Sequence, residues 1–213
     1  MMELLESAES LALDAGCSKL PEYSTAPLFS EARGKMFGVL ECVDRDDLTH
    51  WLYAFSGQYN SLWLLPGWAP PLFDTELFSR INNPEERRIK AITRQIETGM
   101  DVAREKELKR ERTRRCRQLM KDIHALYSLT NFRGETATLS EVVGAERNHP
   151  TGMGDCCAPK LLNNAARQGL KPVSMAEFYF GRENRSRTRQ HGQFYPPCSD
   201  KCGPLLGFLL CGV

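Results

Sequence analysis

Two cysteine pairs, each at the start of a predicted helix and separated by one predicted strand, limit the folds open to this chain more than any other feature. The stretch "HPTGMGDCCAPKLLNNAARQGL" passes from a glycine loop into a helix that ends at Gly169, with Pro172 just beyond. "KPVSMAEFYFG" reads as a strand bounded by Gly181, and "FYPPCSDKCGPLLGFLLCG" leads into a last helix. A strand flanked by two helices can bring both helix N-termini to one edge of a sheet. Cys156 or Cys157 would then face Cys198 and Cys202, in a field that favours thiolates. Zinc takes four tetrahedral sulfur or imidazole ligands, and the three-residue gap between Cys198 and Cys202 lies within its usual spacing. His191 is the nearest imidazole and His149 the other candidate for a fourth ligand. Cys17, Cys42, Cys116 and Cys211 follow no such pattern.

The acidic N-terminus lacks the basic and apolar regions of a signal peptide, and no apolar run approaches the ~18 residues that span a bilayer. The expectation is a cytoplasmic protein without a membrane partner, where clustered cysteines point to metal or reactivity rather than to disulfides. A net charge of +1 selects no partner. Its distribution is more informative. Residues 1–79 hold 4 Lys/Arg against 12 Asp/Glu, residues 80–124 hold 14 against 8, and residues 160–213 hold 8 against 3.

Ahead of the cysteines, "KMFGVLECV" and "WLYAFSG" read as a strand hairpin, and the prolines of "SLWLLPGWAPPLFD" confine that stretch to an edge. Asn83 and Pro84 suit a helix start. Ile89, Ile92, Ile96 and Met100 then recur at helical spacing, followed by the charged run "REKELKRERTRRCRQ" and a second apolar stripe from Leu119 to Leu126. Gly99 marks a kink or the turn of a helical hairpin, and "NFRGETATLSEVVGAERNHPTGMG" reads as a loop-rich bridge with a short helix expected at "TLSEVVG". The expected fold is α/β. A small mixed sheet is packed by helices over residues 1–82 and 129–213, and residues 83–128 form a projecting charged helical arm.

The order hairpin, cysteine helix, strand, Pro-Cys helix resembles the zinc-dependent nucleobase deaminases. In that family a Glu two residues after the first ligand moves protons; here Ala158 and Pro159 occupy those places, leaving Asp155 and Glu177 as the candidate catalytic carboxylates. A second resemblance covers nearly the whole chain. "GKMFGVL", "AFSG", "PGWAPPLFD", "CAPKLLNNAARQGLKPVSMAEFYFG" and "HGQFYPPCSDKCGPLLGFLL" look like the N-terminal accessory region of large RluA-type pseudouridine synthases. That likeness implies Cys156, rather than Cys157, as the ligand beside His191, Cys198 and Cys202. It also implies an RNA-modification context without the catalytic domain, since no "HRLD"-like segment occurs. The expected partner is RNA, held by Arg112, Arg114 and Arg115 of the arm and Arg182, Arg185, Arg187 and Arg189 of the loop "RENRSRTRQHG". A separate synthase domain, or a protein docking on residues 83–128 as a coiled coil, is the further partner expected.

Overall fold

A computed structural model describes residues 1–13, 20–99, 101–144 and 150–213. The expectations placed on Cys17, Met100 and His149 lie outside the described residues. The main sheet has three strands in the order β2-β1-β5: β1 (Lys35–Val43) lies between β2 (Thr49–Phe55) and β5 (Lys171–Phe180). Both pairings are antiparallel, with Leu40 opposite Leu52 on one side and Met175 on the other. The expected mixed sheet is therefore corrected to an antiparallel one. Among the described residues the single parallel contact is a one-residue bridge from Tyr53 to Trp68, where the proline-rich stretch lies along the edge of β2.

Side chains alternate across a strand with period two, and the alternation divides the core. Leu40 and Cys42 of β1, Ala54 of β2 and Met175 of β5 pack on one face with Cys157, Leu161 and Ala165 of α5 (Cys157–Gln168). Phe37, Phe55, Phe178 and Phe180 pack on the other with Tyr59, Trp68 and Leu5 of α1 (Met2–Ala8). Gly38 of β1 sits where α5 presses closest: a Cβ there would stand 2.7 Å from Cys157 Cβ and 2.9 Å from Leu161 Cδ1. Gly38→Ala is expected to destabilise by about 1–3 kcal/mol through overpacking, read as a lower urea midpoint at unchanged slope. An unchanged midpoint would mean that α5 can lift from the sheet at little cost.

Between β2 and α5 the chain makes a helical hairpin of α2 (Thr75–Glu97) and α3 (Val102–His124), turning near Gly99 at φ 77°. The first helix starts earlier than Asn83. Asp74 is its N-cap, its carboxylate accepting from the N–H groups of Glu76 and Leu77, and Pro84 lies inside the helix. Tertiary packing overrides the proline signal here, because Phe78 and Ile81 are needed against the core. The two helices are held by Leu108 and Ile92 inside and by Arg115 reaching Glu85 across the pair. The stretch read as a loop-rich bridge holds a small antiparallel pair, β3 (Ser128–Thr130) and β4 (Thr136–Thr138). It then enters α4 (Leu139–Val143), whose capping box joins Thr138 and Glu141. The last helix is α6 (Gly203–Leu209). Among the described residues no helix is long and apolar enough to cross a membrane.

Candidate metal centre

The glycines before α5 set the position of its first residues. Gly152 and Gly154 have φ of 74° and 87°, a region that suits glycine, and Gly154 lies against the Tyr127 ring. Cys156 then stands at the N-cap of α5 with no capping bond of its own. Glu177 supplies the cap instead: from β5, on the α5 side of the sheet, its Oε1 accepts from the N–H of Ala158 at 2.7 Å. The carboxylate satisfies an orphan helix donor and sits at the positive end of the helix. Burial pushes the acidity of Glu177 down, raising its pKa, against the opposing pull of that hydrogen bond and of Arg189.

The second cysteine segment arrives along the free edge of β5. Phe194 bridges Phe178, and Tyr195 N–H donates to the carbonyl of Glu177 at 2.9 Å. The chain then turns at Cys198, whose carbonyl accepts from the N–H groups of Cys202 and Gly203. Three sulfurs meet as a result. Cys156 Sγ lies 4.0 Å from Cys198 Sγ, and Cys198 Sγ lies 3.5 Å from Cys202 Sγ. The three fall within 4.8 Å of one another and form a group able to hold a metal ion. Sulfurs placed tetrahedrally about zinc at about 2.3 Å stand about 3.8 Å apart, which the observed separations bracket. Hydrogen bonds from the Cys202 and Cys198 thiols hold Cys156 below its ordinary pKa, with Lys201 adding to the effect and burial opposing it. The same contact, together with burial, pushes Cys202 well up.

Cys157 is a different kind of residue. It is fully buried, its thiol donates to the carbonyl of Met36 at 3.3 Å, and burial holds it protonated. The adjacent cysteines thus divide the work between core packing and the sulfur group.

Asp155 lies beside the group but is engaged as a tie. Its Oδ1 accepts from the Tyr127 hydroxyl at 2.7 Å, and its carbonyl accepts from Gly57 N–H at 2.8 Å. Burial raises its pKa, while the Tyr127 hydroxyl, Lys160 and Lys201 pull it down. His191 is not brought to the sulfurs. Its Nδ1 accepts from Gly181 N–H at 3.1 Å, its ring packs on Phe29 and Phe180, and its Nε2 faces Glu6. Among the described residues the group consists of the three cysteines alone.

The expected RNA arginines also separate into distinct situations. Arg115 is tied to Glu85 and Glu111, and Arg182 to Glu31. Arg187 stands 3.6 Å from Glu183, and the Arg189 guanidinium lies over the Tyr195 ring. Arg112 is half-buried, while Arg114 and Arg185 are exposed and make no ion pair among the described residues.

One residue near the site is invisible to sequence reasoning. Lys160, a turn into α5, is fully buried; its Nζ donates to the carbonyls of Phe55 and Gly57 at 3.0 and 2.9 Å and lies over the Phe55 ring. It closes the open end of β2 just where Asp155 is anchored. A lysine in an amphipathic helix normally reads as solvent-facing, and the signal available was only its place three residues after a buried cysteine. Comparison with known proteins returned no matching family model, no matching curated protein and no matching solved structure.

Proposed function

We propose that the chain is an RNA-associated module whose C-terminal half is organised by a zinc ion held by Cys156, Cys198 and Cys202. The observation that carries the reading is the convergence of three sulfurs at 3.5 and 4.0 Å from segments 42 residues apart. Soft thiolates with tetrahedral spacing suit zinc over the hard cations. Support for RNA comes from the likeness to the accessory region of pseudouridine synthases and from the arginine loop beside the site, where Arg185 is free to meet phosphate.

A second reading, a zinc-dependent hydrolase of the deaminase kind, is favoured by one observation. Two carboxyls with raised pKa values, Asp155 and Glu177, flank a three-sulfur group, and three protein ligands plus water define a catalytic zinc site. The strand order β2-β1-β5, with β1 antiparallel to both neighbours, accommodates either reading. In the hydrolase reading Glu177, engaged at the helix terminus, would have to release Ala158 to move a proton, which leaves Asp155 and Glu177 unequal candidates.

The test is metal content of the purified chain. About one zinc per chain is expected, lost in Cys198→Ser and kept in Cys157→Ser, whose thiol faces the core. Metal retained by Cys198→Ser, or no metal in folded wild-type protein, would overturn the centre. Release of ammonia from nucleosides or RNA, abolished by Asp155→Asn, would replace the binding-module reading with the hydrolase.

A further inference from the structure

The outward side of α3 carries a row of cations that the fold does not use. Lys106, Arg110, Arg114, Arg117 and Lys121 are all exposed, and among the described residues none of them makes an ion pair. Their spacing of three and four residues places them on one face, together with Thr113, and the face is bordered at its N-terminal end by the ion pair of Lys109 with Glu105. The acids of the helix stand to the sides, where Glu107 holds Arg104 and Glu111 holds Arg115. The opposite side of α3 carries Leu108, Leu119 and Ile123, which are buried. The cationic row thus points away from the protein body.

We propose that this face of α3 binds the phosphate backbone of structured RNA without reading its sequence. The proposal deepens the RNA reading above and rests on it. From Lys106 to Lys121 the row runs about 22 Å at 1.5 Å per residue, long enough to follow several successive phosphates of one strand. Five unpaired lysine and arginine heads in a line, with Glu105 at the border occupied by Lys109, complement a linear polyanion. The face has no aromatic ring on which a base could stack, and the amide at its border, Gln118, is engaged with Asp122, so its contacts are with the backbone. It also lacks the apolar flank with which a basic helix enters a lipid surface, because the leucines and isoleucine of α3 are spent inward. The assignment moves the contact from Arg112 and Arg115, which are half-buried, to residues two helix faces away, with Arg114 common to both.

The experiment uses the full chain and a fluorescent RNA hairpin with a helical stem, titrated between 50 and 200 mM salt. The comparison is a variant carrying Lys106→Gln, Arg110→Gln, Arg114→Gln, Arg117→Gln and Lys121→Gln. Wild-type affinity is expected to fall steeply with salt, and the variant to bind at least about tenfold more weakly at low salt with a slope shallower by roughly three to four. A second hairpin of equal stem length and different sequence is expected to bind within about twofold of the first, as backbone contacts carry no sequence information. All five positions are exposed, so an unchanged helical circular dichroism signal and metal content confirm a folded variant. Equal salt slopes for the two proteins would overturn this face while leaving the RNA reading in place. Binding by neither protein would overturn both. Tighter binding to vesicles of anionic phospholipid than to the hairpin would overturn RNA as the occupant of the row.

Discussion

Trp68→Ala is expected to lower stability by about 3–5 kcal/mol, the range for removing a large buried aromatic. For a chain of this size that corresponds to a fall in Tm of about 10 °C. Trp68 is 6% exposed and stands at the centre of the aromatic face of the sheet, with Phe55, Phe37 and Tyr53 rings at 5.5, 5.8 and 6.2 Å. Its indole N–H donates to the Leu11 carbonyl at 2.8 Å. One side chain therefore joins the proline-rich segment, the sheet and the N-terminal segment. Alanine would remove the packing and leave that carbonyl without its donor, two costs that add. Trp68→Phe separates them, retaining most of the ring area and losing only the hydrogen bond, for about 1–2 kcal/mol. A Tm drop under about 3 °C for the alanine variant would show that the N-terminal segment contributes little to the folded core.

The second large effect is on the pH dependence of stability. Burial lowers the pKa of Lys160 from 10.5 to about 8, with Asp155, Cys157 and Cys156 opposing and Lys35 adding to the fall. Between those two values the unfolded chain binds a proton at this position that the folded chain does not, so stability rises with pH. Below about 8 both states are protonated and the contribution is flat. Measured against Lys160→Met, wild-type stability is expected to gain up to about 3 kcal/mol as pH climbs from 8 to 10.5. The difference between the two proteins removes the titration of residues they share. Parallel curves for wild type and variant over that window would mean that water reaches Lys160 and keeps it charged.

Local signals made much of the fold legible. The strand β1 was evident at its observed bounds, because "KMFGVLECV" is flanked by turn residues and holds β-branched and aromatic side chains. The end of α5 was evident at Gly169, which takes the left-handed conformation that closes a helix. The start of α2 was not, since Pro84 is a strong local start signal and the demand for Phe78 and Ile81 in the core is a tertiary one. The β3–β4 pair was missed for its brevity, three residues a strand. At the candidate site, spacing grouped Cys198 and Cys202 with either Cys156 or Cys157, and only the family resemblance pointed to Cys156, whose sulfur is the one that meets them. Spacing could not show that His191 is drawn to an aromatic pocket and Glu6 instead, because that depends on Phe29 arriving from the far end of the chain. Period two placed Glu177 on one face with Met175, but only the helix packed on that face reveals it as the cap of α5.

The helical hairpin starts and ends at one point of the fold: the N–H of Ser128 donates to the carbonyl of Leu72 at 2.8 Å, and the two helices lie between these residues. Phe73, Phe78 and Tyr127 stack around that junction, so the base is sealed independently of how far the helices extend. Lengthening such an excursion adds only about 0.6 kcal/mol of closure entropy per doubling. The hairpin is therefore the place where this chain can gain or lose length at least cost to the rest of the fold. Turns of helix can be added or removed at its tip while the sheet and the sulfur group keep one geometry.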